Sequence, residues 1–303
     1  MAVLISIVGP TAVGKTALSL SLGEKYQTHI LSCDARQVYK GMDKGTAKIS
    51  PSEQRGIPHH FIDILEVDQS ITVGQFEEKA DELLDKLFQD YQVVIAVGGS
   101  TLYFHTLWYG IDEIPEVNPK IREGLRAEWE AHGLSSLLKE LEIVDPATYE
   151  VIDRQNHVRV LRALEVYLSS GQPISAFHKQ QRKEKGYQHI KIGLSMDRET
   201  LYPRIDARVD QMLENGLLTE VEGLMKAGYS LDQQAMRTIG YQELIQHFHG
   251  EYPLEEAIRL IKRNSRRYAK RQMTFYRRYD DIRWFQFEEV ESIPQWVDEQ
   301  LGG

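Results

Sequence analysis

One stretch near the start of the chain decides the fold: VLISIVGPTAVGKT, residues 3–16. Residues 2–8 are apolar apart from Ser6, a composition typical of a strand buried on both faces of a parallel sheet. The strand ends at Gly9, and the leucine-rich sequence from Gly14 onward predicts a helix. A strand, a glycine-containing turn and a helix in this order begin an α/β unit.

The turn between this strand and helix matches the phosphate-binding pattern G-x-x-x-x-G-K-S/T. It consists of Gly9, Pro10, Thr11, Ala12, Val13, Gly14, Lys15 and Thr16. Glycines allow backbone N–H groups to point at phosphate oxygens, and the dipole of the following helix favours an anion. Lys15 adds a positive charge, and the Thr16 hydroxyl can bind Mg²⁺. The loop predicts a diphosphate or triphosphate ligand, with a chance match as the alternative.

Three further strands are predicted downstream of the phosphate loop. His29–Cys33 predicts the second strand, with Asp34 just past its end, and Tyr91–Val97 predicts the third. Residues 74–90 between them have the periodicity of an amphipathic helix, and His189–Leu194 predicts the fourth strand. We therefore predict an α/β fold, a P-loop NTPase-like doubly wound parallel sheet with a helical insertion domain and C-terminal helices.

The sequence changes character near residue 115, where a series of amphipathic helical segments begins. Nearly all of the sequence after residue 200 also predicts helix. We therefore expect residues 1–114 and 189–303 to form the P-loop α/β core with its C-terminal helices. Residues 115–188 are expected to form the helical insertion domain.

The composition excludes several classes of protein. The 303 residues are 42% hydrophobic, which is enough for a buried core, and no segment approaches the roughly 20 apolar residues of a membrane span. The single cysteine, Cys33, excludes an internal disulfide framework and a cysteine-rich zinc site. No secretory signal is recognisable, so we expect a cytoplasmic protein without a membrane partner. The net charge of −9 argues only weakly against nucleic-acid binding.

An acidic residue follows the second predicted strand instead of the third. An ATPase of the Walker type usually has an aspartate after another hydrophobic strand, whereas Tyr91–Val97 ends in Gly98-Gly99. Asp34 is therefore the candidate catalytic carboxylate, and a helix cap or turn residue is the alternative. The missing acid argues against an ordinary ATPase without excluding a kinase.

Five segments resemble the tRNA dimethylallyltransferase family, also called the tRNA isopentenyltransferases, in its bacterial form. They are DARQVYKGMDKGTAK (34–48), the phosphate loop (9–16), GGSTLY (98–103), RALEV (162–166) and RTIGY (237–241). The resemblance implies transfer of a dimethylallyl group from dimethylallyl diphosphate to the exocyclic N6 amine of an adenosine in tRNA. That adenosine lies on the 3′ side of the anticodon, and pyrophosphate is released.

The resemblance also implies catalytic roles for Asp34, Arg208, Lys15 and Thr16. The phosphate loop binds the diphosphate, and Asp34 acts as the general base that accepts the amine proton. Arg208 lies on the pyrophosphate side. Together with Lys15 and with Mg²⁺ bound to Thr16, it neutralises the charge of the leaving diphosphate.

Arg204 and Arg208 are four residues apart and share one face of a predicted helix. Two neighbouring guanidinium groups repel each other unless an anion lies between them, and a diphosphate would serve. Ion pairs with Asp206 or Asp210 are the alternative interpretation.

The partner that the resemblance implies is tRNA, contacted through its anticodon stem-loop by a protein that we expect to be a monomer. The residues at tRNA-contacting positions are Asp34, Ala35, Arg36, Gln37, Ser100, Arg122, Arg159 and Arg162. The target adenosine must leave its stack to react, and Gln37 can offer its base both a donor and an acceptor. Residues 259–278 contain nine Arg and Lys residues, which predict either an RNA-binding stripe or a solvated face paired with acids.

Three other functions stay open at this stage. A P-loop small-molecule kinase would use Asp34 to activate a hydroxyl, although the basic stripe and the missing acid argue against it. A nucleotide-gated RNA-binding protein would need the stripe but not Asp34. An adenylate isopentenyltransferase would share the chemistry but act on a free nucleotide. Thr101 adds bulk where the family commonly has glycine, which leaves the length of the prenyl donor open.

Overall fold

The computed structural model describes residues 1–112, 114–178 and 185–302. The chain divides into two compact units, one formed by Met1–Trp108 with Glu184–Gly303 and the other by Tyr109–Lys183. Residues 179–184 of the predicted insertion lie outside the described residues. The division into a catalytic core and a tRNA-binding insertion stays a prediction.

The described residues form one six-stranded sheet, in which every pair of neighbouring strands is parallel. The strands are β1 (Val3–Val8), β2 (Ile30–Ser32), β3 (His59–His60), β4 (Val93–Val97), β5 (Gln188–Ser195) and β6 (Arg283–Gln286). Their order across the sheet is β3-β2-β4-β1-β5-β6. Strands are thus added on both sides of β1, which confirms the predicted doubly wound α/β fold.

β1 is buried along its whole length because it lies between β4 and β5. Ile5 pairs with Ile95 on one side and with Ile190 on the other. Ser6 is the polar exception, and its Oγ accepts a hydrogen bond from the indole N–H of Trp108 at 2.9 Å. A buried hydroxyl with such a partner does not carry the cost of an unsatisfied polar group.

The helices connect the strands of the first unit and make up the second. They are α1 (Lys15–Tyr26), α2 (Val73–Asp90), α3 (Thr101–Tyr109), α4 (Pro119–His132), α5 (Ser135–Val144), α6 (Pro146–Val151), α7 (His157–Ser170), α8 (Ile174–Phe177), α9 (Arg198–Glu214), α10 (Leu217–Lys226), α11 (Tyr241–Phe248), α12 (Leu254–Tyr276) and α13 (Ile293–Gly302). Thr72 and Gln75 form a reciprocal capping box at the start of α2, which fixes where that helix begins. Within the described residues, no helix has the length and apolar character needed to cross a membrane.

The carboxyl ends of β2 and β4 approach each other closely at Gly98. A Cβ atom at this position would lie 2.1 Å from the carbonyl oxygen of Cys33, so only glycine fits. The N–H of Cys33 donates to the carbonyl of Val97 at 2.7 Å, and the N–H of Ser100 donates to the carbonyl of Cys33 at 3.0 Å. These contacts fix the backbone immediately before Asp34.

The prediction of nearly continuous helix after residue 200 is wrong at β6. Arg283–Gln286 adds a parallel strand beside β5, with Phe285 buried against the core. A four-residue segment is too short for its periodicity to distinguish a strand from a helical turn. Its pairing with β5 depends on contacts distant in sequence, so propensity alone did not predict it.

The second unit has its own apolar core. Leu137 and Leu141 of α5 pack with Val160 and Leu164 of α7, and all four side chains are fully buried. Buried Asp145 begins α6, where its carboxylate accepts hydrogen bonds from the N–H and hydroxyl of Thr148. These features are typical of a stable helical body.

Candidate active site

A cavity of about 690 Å³ opens where β1, β2 and β4 end, and all of its lining residues belong to the first unit. Its walls come from the phosphate loop, the turn Asp34–Gln37 and the turn Gly98–Ser100, with α9 and α12 on the remaining sides. In doubly wound sheets, ligands bind at these ends of the strands.

The phosphate loop joins β1 to α1 as predicted, and Val13 is buried below it. The Nζ of Lys15 donates to the carbonyls of Gly9 at 3.0 Å and Pro10 at 2.7 Å. Lys15 therefore lies over its own loop, where its ammonium group is available to an anion bound by the backbone N–H groups.

The charges around Lys15 are strongly coupled. Burial lowers the pKa of Lys15 to about 7, and the positive charge of Arg208 contributes to the decrease, whereas the carboxylate of Asp34 opposes it. Burial also lowers the pKa of the Arg208 guanidinium, again against the effect of Asp34. Two cations and one carboxylate thus interact within the cavity, an arrangement that favours binding of an anion.

Asp34 lies in a short turn whose hydrogen bonds fix its carboxylate. Its Oδ1 accepts the backbone N–H of Arg36 at 2.9 Å, and the N–H of Ala35 donates to the hydroxyl of Ser100 at 2.8 Å. Asp34 and the three residues after it are half-buried and line the cavity. The Oδ2 atom faces Gly99, where a Cβ atom would lie only 3.1 Å from it.

Gln37 has a fixed amide orientation. Its Nε2 lies 3.3 Å from the carbonyl of Thr46 and 3.4 Å from that of Ala47, while its Oε1 accepts from the hydroxyl of Ser32 at 3.3 Å. The side chain of Arg36 donates to the carbonyl of Gln234 at 3.2 Å. The residues of the 34–37 turn are thus positioned by protein contacts that surround the cavity.

Arg204 and Arg208 of α9 both line the cavity. The Nε of Arg204 donates to the carbonyl of Ala12 in the phosphate loop at 3.2 Å, and its guanidinium lies 4.6 Å from the centre of the Phe287 ring. The alternative ion pairs are not formed. Asp206 pairs with Arg266 and Asp210 pairs with Lys262, both on α12.

One wall of the cavity was not anticipated from the sequence. Ile261, Ser265, Tyr268 and Gln272 lie on one face of α12 and line the cavity. The Oε1 of Gln272 accepts the N–H of Thr11 at 2.9 Å, and its Nε2 donates to the carbonyl of Gly99 at 2.9 Å. The hydroxyl of Tyr268 donates to the same carbonyl at 2.8 Å. Gln272 thus links the phosphate loop to the turn that faces Asp34.

A sequence signal for this wall existed in the spacing of the four residues. Positions 261, 265, 268 and 272 follow the three- and four-residue steps of one helix face. Gln272 on this face is only 1% exposed, and buried polar side chains have partners. The basic residues of the same segment masked this pattern.

The sequence profile of the IPP transferase family matches residues 37–279. The chain belongs to the IPP transferase family. The tRNA dimethylallyltransferases of Cytophaga hutchinsonii and Salinibacter ruber are each 44% identical to it. The first match covers 98% of this chain and 97% of the relative, and the second covers 93% and 87%.

Solved structures of IPP transferases share the fold. A tRNA isopentenylpyrophosphate transferase of Bacillus halodurans is 36% identical, with a TM-score of 0.74 over 100% of this chain and 97% of that one. A eukaryotic dimethylallyltransferase acting on tRNA is 26% identical, with a TM-score of 0.81 over 95% of this chain and 74% of that one. The family, the fold class and the enzyme class predicted from the sequence are confirmed.

The basic stripe of this IPP transferase is partly neutralised by its own acids. Three of its members form ion pairs: Arg259 with Glu256, Lys262 with Asp210, and Arg266 with Asp206. Among the described residues, Arg267, Lys270 and Arg271 have no acidic partner, and all three are exposed. Pairing with acids is thus confirmed for these three residues, and RNA binding by the unpaired cations stays a prediction.

Two of the arginines predicted to contact tRNA in the second unit lie beside the buried carboxylate of Glu165. The Nε of Arg122 donates to Glu165 at 3.2 Å, and Arg162 lies 3.6 Å from the same carboxylate. Arg159 on α7 is exposed. Two arginines thus share one buried acid, which leaves a net positive charge. Contact of Arg122, Arg159 and Arg162 with tRNA stays a prediction.

The described residues contain no cluster of three or more His, Cys, Asp or Glu side chains arranged to hold a metal ion. The exposed side chain of Thr16 and the carboxylate of Asp34 are among the oxygen-bearing groups that line the cavity. His59 and His60 form β3, and the Nδ1 of His59 lies 2.8 Å from the carbonyl of Ile57.

Proposed function

We propose that this chain transfers a dimethylallyl group from dimethylallyl diphosphate to the N6 amine of the adenosine 3′ to the anticodon in tRNA, releasing pyrophosphate. The observation that carries the proposal is that the phosphate loop, Arg208 and Asp34 line one cavity. An anion site and a carboxylate then lie on either side of the bond to be exchanged. The names of the relatives, tRNA dimethylallyltransferases, support the same reaction.

The diphosphate of the donor binds to the phosphate loop, Gly9–Thr16. The backbone N–H groups of the loop, with Lys15, Arg204 and Arg208, face its oxygens. Mg²⁺ fits this site because it prefers oxygen ligands and usually retains waters alongside one or two protein ligands. The Thr16 hydroxyl would bind it together with the diphosphate. When bound, the ion adds positive charge beside the leaving group.

Asp34 receives the acceptor amine. The N6 nitrogen attacks the allylic C1 carbon, the C1–O bond to the diphosphate breaks, and one N6 proton passes to the carboxylate of Asp34. Because Oδ1 already accepts the N–H of Arg36, Oδ2 is the oxygen that is free to take the proton. Asp34, Ala35, Arg36, Gln37 and Ser100 contact the extruded nucleotide.

The stem and loop of the tRNA bind outside the cavity. Arg122, Arg159 and Arg162 and the unpaired cations of α12 contact its phosphates. We propose that the protein acts in the cytoplasm and as a monomer. One chain supplies the phosphate loop, the carboxylate and the arginines alike, which supports the monomer.

A transfer assay tests the proposal. Radiolabelled dimethylallyl diphosphate and Mg²⁺ are incubated with unmodified tRNA, with AMP in parallel, and Asp34→Ala is the matched variant. We expect label in tRNA with the wild type and none with the variant. Label in AMP alone would assign the chain to free-nucleotide chemistry, and ATP hydrolysis without label would favour the kinase.

A further inference from the structure

The wall of the cavity also includes part of a loop, residues 43–47, that is held by Glu220 of α10, a residue outside the cavity lining. The Oε2 of Glu220 accepts the N–H of Asp43 at 2.9 Å and of Lys44 at 2.8 Å. Its Oε1 accepts the N–H of Gly45 at 3.3 Å and the hydroxyl of Tyr241 at 2.5 Å. One half-buried carboxylate therefore satisfies three consecutive backbone donors and a phenol.

Tyr241 completes this contact by packing. It is fully buried at the start of α11, and a Cβ atom at position 45 would lie 2.3 Å from its ring, so Gly45 allows the loop to rest on the tyrosine. The RTIGY segment, 237–241, thus contributes Arg237, Thr238 and Ile239 to the cavity wall and Tyr241 to the support behind it.

The supported loop reaches the base-reading side chain directly. Gly45, Thr46 and Ala47 line the cavity, and the carbonyls of Thr46 and Ala47 accept from the Nε2 of Gln37. Because these carbonyls can only accept, they require the amide nitrogen of Gln37 on their side, which leaves its Oε1 to accept from the hydroxyl of Ser32. The position of the loop therefore determines which way the amide of Gln37 faces.

We infer that Glu220, with Tyr241 behind it, is a positioning residue for the acceptor nucleoside, acting through the 43–47 loop on Gln37. This inference rests on the proposed function, because it assigns the Gln37 side of the cavity to the adenine. The carboxylate contacts neither substrate. It sets the part of the wall that recognises the base.

The loop has a second anchor, so removal of Glu220 need not unfold it. The Nζ of Lys48 donates to the carbonyl of Tyr39 at 2.6 Å and pairs with Asp43 at 2.7 Å and Asp63 at 2.5 Å. This side chain is 4% exposed. A variant at position 220 is therefore expected to fold with a displaced 43–47 segment.

The test separates the two substrates. We expect Glu220→Ala to raise the KM for tRNA at least about tenfold, the effect of losing one or more charge-assisted hydrogen bonds, while the KM for dimethylallyl diphosphate changes less than about twofold. Gly45→Ala is expected to do the same, and Tyr241→Phe to have a smaller effect. Glu222→Ala is the matched control, because this exposed residue pairs with Lys226 on the same helix.

A double-mutant cycle identifies the route of the effect. If Glu220 acts through Gln37, the double variant Glu220→Ala with Gln37→Ala raises the KM for tRNA by much less than the product of the two single increases. Independent losses, or a lowered Tm with unchanged KM for tRNA, would overturn the inference. Binding of a fluorescent unmodified anticodon stem-loop gives a readout without transfer. A wild type that binds the stem-loop but transfers nothing refutes the proposed function alone, and one that does not bind it refutes both.

Discussion

The two ends of the cavity are built in different ways. The proposed donor end is built on one continuous segment, Gly9–Thr16, to which α9 adds Arg204 and Arg208. The acceptor end combines Asp34–Gln37 with Gly98–Ser100 and the Tyr268–Gln272 segment of α12. A local motif thus specifies the anion site, whereas the position of the carboxylate depends on contacts between segments far apart in the chain. Substitutions at the two ends should therefore have different effects on catalysis and on pyrophosphate binding.

The largest effect is expected from Asp34→Asn. The amide keeps an oxygen for the N–H of Arg36 but cannot accept the amine proton, so kcat should fall about 10³-fold, within the range for loss of a general base. Pyrophosphate binding, measured by calorimetry, should not be lost, because the substitution removes no group of the donor end. Equal loss of pyrophosphate binding would show that the two ends are not separable.

Gln272→Met is expected to disturb both ends at once. Methionine has a similar volume but leaves the N–H of Thr11 without its partner and removes one of the two donors to the carbonyl of Gly99. An unsatisfied buried donor costs roughly 1–3 kcal/mol, so kcat/KM should fall about 10- to 100-fold. Thr274→Ala, on an exposed position of the same helix, is the control for steady-state kinetics.

The pH dependence of pyrophosphate binding tests the charge of Lys15 at the donor end. Because the pKa of Lys15 is about 7 in the free protein, the side chain is largely neutral at pH 8 and must gain a proton when the anion binds. The proton uptake that belongs to Lys15 should therefore be larger at pH 8 than at pH 6, and the contribution of Lys15 to the affinity should weaken as the pH rises above 7.

Calorimetry in buffers of different ionisation enthalpy measures this uptake. Lys15→Arg is the matched variant, since arginine stays charged. The protons of pyrophosphate contribute to both proteins, so the difference in uptake between them is the part that belongs to Lys15. Equal proton uptake by the two proteins would mean that Lys15 is already charged at pH 8.

The smallest effect is expected on the surface of α12. Lys270 has no acidic partner among the described residues, so Lys270→Ala should weaken tRNA binding a few-fold and reduce the salt dependence by about one counterion. Arg259→Ala should leave the salt dependence nearly unchanged, because Glu256 already pairs with that side chain. If the salt dependence of tRNA binding were the same for the two variants, paired and unpaired cations of the stripe would contribute equally.

The same contrast explains how much the sequence could predict. β1 and the phosphate loop are encoded by adjacent residues, and both lie where expected. Asp34 was located by its place after a buried strand, although its catalytic role is still a prediction. The hydrogen bonds of Gln272 join segments that no periodicity relates, and the pairing of Asp206 with α12 depends on how two helices pack. Such contacts are specified only by tertiary structure.

The hydrogen bond from Thr11 to Gln272 spans 261 positions of the chain. During synthesis, roughly 13–50 s separate the appearance of these two residues at about 5–20 residues per second. Throughout that interval the phosphate loop exists without the helix that links it to the Gly99 turn. A nascent chain therefore has no complete pocket in which to sequester a tRNA beside the ribosome that is making it.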